Sequence, residues 1–358
     1  MFLLKPDKRI SSTLFKLIVL CAFFSCKEKK ITRKIEPAFY YWKSVFNPGN
    51  FEKQRLNELK VNTIYLKFFD VDWDDVYQSP TPVAKLRLAD NLDNLPDSIQ
   101  IIPTVFITNA CIQKIDSADA EILATQIFEL IKYINKSNEW LFNHSSAANE
   151  IQIDCDWTEA TRQKYFKLLN GIKSKMPGVK LSATIRLHQI KFLTKTGIPP
   201  VDRGLLMCYN MGNLKNPATK NSILETEELK KYTGNLSNYP LPLDVAFPLF
   251  NWKVLYRNNV YAGLIQGLPD ASFSNSFCNI NGNRYRVLKD TLLQGYDLHK
   301  GDMIRDEQSD IKEVLSAANE IGKQLKNTPL RVSLYHLDSV ILSKYSTHEL
   351  ESIYNSLH

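Results

Sequence analysis

Beyond Pro37 the chain alternates short apolar runs of strand character with longer stretches in which apolar residues recur every three to four positions. The strand pattern covers 39–45, 63–69, 101–107, 151–156, 181–187, 204–209, 243–250 and 331–337. Helical spacing covers 51–59, 118–134, 159–175, 225–232, 310–325 and 347–357. Eight strands with helices in most of the gaps predict an α/β fold, a single (β/α)8 barrel, with a doubly wound open sheet as the alternative. Two connections exceed what a barrel needs. The stretch 70–97 opens with Asp70, Asp72, Trp73, Asp74 and Asp75, and an aromatic, Asn- and Gly-rich insertion of about 256–307 separates strands seven and eight. Long loops after strand C-termini are where barrels keep binding elements, although either stretch also reads as a surface excursion without a role.

The most informative strand is the fourth. In Ile151-Gln152-Ile153-Asp154-Cys155-Asp156 the two isoleucines and the cysteine share one face, and Gln152, Asp154 and Asp156 share the other. A face so polar is costly to bury unless its groups are paired or reach a solvent-filled cavity, and the inner mouth of a barrel supplies such a cavity. Two carboxylates on one strand face repel each other, which can hold a proton on one of them near neutral pH. Asp156, nearer the mouth, is the expected acid or central polarising group, with Asp154 as its partner. Arg186, at the end of the fifth strand, is an alternative partner for either carboxylate, which would lower its pKa and argue against an acid role.

Asp154 and Asp156 resemble the middle acids of D-x-x-D-x-D-x-E, the fourth-strand signature of the family 18 glycoside hydrolases, the chitinase-like barrels. That alignment puts Ile151 at the first acid and Thr158 at the final Glu, the proton donor of that family, so the pattern is degenerate at the catalytic Glu. Met207-Cys208-Tyr209-Asn210 resembles the sixth-strand M-x-Y-[DN] of the same barrels, and Asn251-Trp252 is a weaker echo after the seventh. The run from Ile151 to Gly212 looks still closer to a group of bacterial lipoprotein barrels with a Q-x-D-x-D strand and a later M-x-x-x-M-G strand end; that likeness implies a fold and no activity. The family resemblance implies that Tyr209 and Asn210 hold the acetamido group of a substrate and that the aspartates orient and polarise it. Thr158 is too weak an acid to replace the missing Glu, and Glu159 is expected to open the next helix, where it favours the dipole.

Aromatic faces beside carboxylates suit sugar rings, which present C–H patches and hydroxyl edges together. Trp42, Trp73, Trp157 and Trp252 all fall near predicted strand ends. The candidate substrate-binding set is therefore Tyr209, Asn210, Trp252, Trp157, Arg186, His188 and Trp42. The reading is a glycoside hydrolase-like barrel acting on a glycan at its C-terminal rim, with a non-catalytic glycan-binding protein or a structural envelope protein as alternatives. Asp154, Asp156, His188 and His336 are metal-compatible types, but neither H-x-H nor H-E-x-x-H occurs, so no metal and no cofactor is expected.

The N-terminus places the barrel. Basic residues Lys5, Lys8, Arg9 and Lys16 accompany an apolar run over 14–24 that is too short to span a bilayer, followed by Ser25-Cys26. This predicts a lipoprotein signal peptide over 1–25, lipidation of Cys26, a tether over 26–36 and a barrel domain over 37–358, held at the bacterial cell envelope by the anchor on Cys26. Losing four basic residues and one acidic residue with the signal lowers the formal charge from +7 to +4. That balance, without a basic stripe, excludes nucleic acid as a partner. Cys111, Cys155, Cys208 and Cys278 form no C-x-x-C pair and read as thiols rather than a zinc or disulfide framework. Oligomeric state leaves no mark on the sequence.

Overall fold

The computed structural model describes residues 33–89, 92, 95–96, 98–267, 276–326 and 329–357. The predicted signal peptide, Cys26 and the tether as far as residue 32 lie outside the described residues. The last part of the predicted tether belongs to the fold instead. Ile35 begins the first strand, and the Arg33 guanidinium donates to the Leu357, Gly322 and Leu325 carbonyls at 2.7, 3.2 and 2.5 Å. Those bonds tie the chain to the ends of the last two long helices.

Eight parallel strands close into a barrel: β1 (Ile35–Tyr41), β2 (Thr63–Asp74), β3 (Gln100–Ile107), β4 (Glu150–Asp154), β5 (Lys180–Arg186), β6 (Arg203–Met207), β7 (Leu243–Pro248) and β8 (Leu330–Tyr335). Closure is made by β1, which pairs with β8 on one side and β2 on the other. Pairing with β2 begins only at Ala38, so Pro37 lies where β1 has a single neighbour and a residue without an N–H is tolerated. This is why the strand starts earlier than its aromatic run predicts.

Side-chain alternation divides the core in two. Ile151, Ile153 and Cys155 join a large shell between strands and helices, whereas Ala38, Tyr40, Tyr65, Ile102, Leu205, Met207, Tyr209 and Ala246 pack inside the barrel. The interior floor is polar and paired: Arg331 donates to Tyr65 Oη at 2.8 Å and Glu150 Oε2 at 3.1 Å, and Arg203 reaches both oxygens of Asp244 at 3.0 Å. Above it, Tyr40 Oη donates to Gln152 Oε1 at 2.5 Å. Residues 33–358 form one compact unit that holds these two cores and a third, smaller one of Leu255, Ile265, Val287, Leu298 and Ile304 in the insertion, so this portion carries the packing it needs to fold without residues 1–32.

The stretch 70–97, expected as a loop after a strand ending at 69, is partly strand. β2 continues to Asp74 and turns back through Ser79–Val83 as a hairpin. A register shift between Lys67 and Phe69 brings Asp70 level with Phe106, which is itself level with Asp154 on β4. The insertion after β7 is a five-stranded antiparallel sheet whose central strands are Asn251–Arg257 and Met303–Gln308, beginning a few residues before its predicted edge. Among the described residues, no helix is long and apolar enough to cross a membrane.

Candidate functional site

The C-terminal mouth of the barrel holds a cavity of about 540 Å3. Its floor carries Asp154, Asp156 and Arg186 from β4 and β5; its walls carry Trp42 after β1, Phe106 from β3, Tyr209 and Asn210 after β6, Phe250 and Trp252 after β7, and Tyr335 and His336 at the end of β8. Strand ends far apart in sequence converge here because every barrel strand runs in the same direction.

Asp154 is buried, and Thr184 Oγ1 donates to its Oδ1 at 2.6 Å. Burial, then the charge of Asp156, pushes its pKa up to about 6, against the opposing pull of Arg186 and Thr184. Asp156 reaches further out and is gripped by Arg186, whose Nε and Nη2 donate to its two carboxylate oxygens, the second at 2.9 Å. Burial works against the charge on Arg186, but Asp156 and then Asp154 more than restore it, and the guanidinium pKa is raised. The fork–fork geometry fixes Asp156 in place.

Tyr209 is buried, and its hydroxyl has no hydrogen-bond partner. Burial pushes its pKa well up, so the hydroxyl keeps its proton. Its ring lies 5.6 Å from Tyr335 and 5.9 Å from Phe250, with the Arg186 guanidinium 5.9 Å from its centre. Asn210 is exposed beside it in the left-handed region, at φ 56°, a conformation Asn tolerates better than most residues. Trp42 packs edge-on to Tyr40 at 5.7 Å and against Tyr335 at 5.9 Å. Trp252 lies 5.2 Å from Phe250 and donates its indole N–H to Glu307 Oε2 at 2.6 Å. His336 keeps Nδ1 buried and unpartnered, and burial lowers its pKa to about 4.

Most residues singled out from the sequence are brought together, and two are not. Trp157 is fully buried in the outer shell, stacked on Tyr165 at 5.1 Å with its N–H donated to the Thr196 carbonyl at 3.0 Å. It follows Asp156 by one position and so faces the other way. His188 lies off the main cavity, in a side pocket of about 80 Å3 shared with Arg186, Tyr209 and Asn210, and burial lowers its pKa. Thr158, at the position of the family's catalytic Glu, bonds with Thr161 and does not line the cavity. Thr184, Tyr335 and Glu307 were missed as site-forming residues. Strand alternation would have found Thr184, two positions before Arg186 on the same face; nothing local marks Glu307. Among the described residues, no group of three or more His, Cys, Asp and Glu side chains is placed to hold a metal.

No family model matches the chain, and no curated protein matches it. Solved structures do. The spore cortex-lytic enzyme SleL of Bacillus cereus superposes with a TM-score of 0.51 at 14% identity, covering 91% of this chain and 75% of that one. The C-terminal domain of a protein described as a chitinase from Desulfitobacterium hafniense gives 0.51 at 11% identity over 91% of this chain and 100% of that one. Together with the closed eight-stranded sheet, these likenesses show a (β/α)8 barrel.

Proposed function

We propose that this barrel binds a glycan in the cavity at its C-terminal mouth. The observation that carries the reading is the union, in one space of about 540 Å3, of the aromatic faces of Trp42, Trp252 and Tyr335 with the polar groups of Asp154, Asp156, Arg186 and Tyr209. That volume falls in the range of small-molecule sites, about 300–1,000 Å3. Aromatic faces take the C–H patches of a sugar ring, and the polar groups take its hydroxyl and amide edges. SleL is named as a spore cortex-lytic enzyme and the second neighbour as a chitinase, which is in keeping with a glycan ligand here.

A hydrolytic role is the second reading, and the raised pKa of Asp154 favours it. Cleavage of a glycosidic bond needs a group that still holds a proton near neutral pH to pass to the leaving oxygen. Burial and the charge of Asp156 move Asp154 in that direction, to a pKa of about 6. Asp156, with both oxygens taken up by Arg186, is suited to orienting and polarising the substrate. This exchanges the roles expected of the two carboxylates from sequence.

The test uses residues 33–358 and a panel of N-acetylhexosamine-containing and neutral glycans, following binding by calorimetry and cleavage by release of reducing ends, with Asp154→Asn alongside. Saturable binding without release supports a glycan-binding barrel. Release by the wild type that Asp154→Asn abolishes, with binding retained, supports the hydrolase. Absence of binding across the panel removes the glycan reading.

The envelope location rests on the sequence alone. The proposal is that Cys26 carries a lipid that anchors the barrel to a bacterial membrane. Cells fed a labelled fatty acid should incorporate label into the wild type and none into Cys26→Ser; equal labelling of both would remove the anchor.

A further inference from the structure

The insertion after β7 lines the cavity with Asn251, Trp252, Gln266 and Gly267, and one buried carboxylate stands behind Trp252. Glu307 lies on the strand Met303–Gln308, directly across the antiparallel ladder from Trp252. Its Oε1 accepts from Arg305 Nε at 2.5 Å; its Oε2 accepts from Trp252 Nε1 at 2.6 Å and from Ser222 Oγ. Glu307 and Arg305 are both fully out of solvent.

Ser222 belongs to the loop that leaves β6 and runs back beside Asn210. The Ser222 carbonyl accepts from Gly212 N at 3.2 Å, and the Ile223 carbonyl accepts from Asn210 N at 2.8 Å. A Cβ on Gly212 would stand 2.6 Å from Ser222 Cα, so the two segments are as close as backbone allows. Arg305 extends the clamp by donating to the Asn216 carbonyl at 2.9 Å. One carboxylate thus joins the insertion, the Trp252 face and the turn that displays Asn210.

The geometry points to Glu307 as a positioning residue: it sets the plane of Trp252 and the place of Asn210, and so pre-organises one wall of the cavity for its ligand. The inference rests on the glycan reading for the ligand's identity and on geometry alone for the positioning. A wall held before binding spares the ligand the entropic cost of ordering it. An indole N–H bonded to a carboxylate has one orientation, whereas a free indole samples several.

The test follows the five tryptophan indole N–H signals in residues 33–358 labelled with [15N]tryptophan, with Trp252 assigned by its loss in Trp252→Phe. Glu307→Gln should displace the Trp252 signal, speed its hydrogen exchange, and weaken binding of the N-acetylglucosamine hexamer, the probe used, by about tenfold. Because Glu307→Gln leaves Arg305 buried without its counter-charge, the paired variant Arg305→Met/Glu307→Leu is run with it. Replacing both charges by apolar groups of similar size preserves folding while removing the acceptor, and it should give the same displacement and the same loss.

An unchanged Trp252 signal in the folded paired variant overturns the proposal, as does a displaced signal with hexamer affinity intact. A displaced signal in a protein whose wild type binds no hexamer supports the positioning role and counts against the glycan reading, so the two failures are separable.

Discussion

Arg186 and Asp156 form a two-pronged ion pair at the cavity floor, with Arg186 Nη2 2.9 Å from Asp156 Oδ2 and Nε on the other oxygen. Asp154, two residues earlier on the same face, has no such partner and accepts from Thr184 instead. Two chemically identical side chains two positions apart thereby stand in different surroundings, one held by a guanidinium and one buried against a hydroxyl. Arg186→Met should push Asp154 further up from about 6, because the variant loses a positive charge that holds that pKa down. Carboxyl 13C titration of the wild type and variant checks this; an unmoved or lowered Asp154 titration would show that Arg186 does not control it.

The raised pKa makes Asp154 a source of pH-dependent stability. Its folded value of about 6 exceeds the ordinary unfolded value of about 3.9, so between those limits the folded state binds more protons and stability falls as pH rises. Asp244, also pushed up to about 6 chiefly by burial, acts in the same direction. Asp154→Asn should therefore raise the melting temperature relative to wild type at pH 8 and lose that advantage at pH 4. An advantage of equal size at both pH values would contradict the assignment.

Trp42 and Trp252 form separate walls of the cavity. Alanine at either should weaken glycan binding by about five- to thirtyfold, the effect of losing roughly 1–2 kcal/mol of stacking and contact. Calorimetry with the glycan selected from the panel measures it. Affinities within twofold of wild type for both variants would place the ligand elsewhere.

Trp157 separates packing from binding. Trp157→Phe removes the N–H bond to the Thr196 carbonyl and part of the ring volume against Tyr165. The expected cost is about 2–3 kcal/mol of stability, read from denaturant unfolding, with glycan affinity unchanged. A change in affinity without a change in stability would return Trp157 to the binding set.

Much of the fold was legible because its signals are local. Period-two alternation separated Ile151 and Ile153 from Gln152 and Asp154, and strand and helix spacing located all eight barrel strands. The ends were less legible. β1 begins at Ile35 because β8 pairs with it below Pro37, and β2 reaches Asp74 because the return strand Ser79–Val83 completes its ladder. Those partners are supplied by other parts of the chain.

The polar strand face, the placement of Tyr209, Asn210, Arg186 and Trp252 near predicted strand ends, and the absence of a Glu at position 158 can all be read from the residues alone. The burial that raises the Asp154 pKa, the choice of tryptophans that face the cavity and the bond from Trp252 to Glu307 all come from contacts between distant parts of the chain. The reason is physical. Side-chain direction along a strand follows from its own residues, but the proton affinity of a carboxyl depends on burial and on charges such as Arg186 that the next strand brings within hydrogen-bond reach.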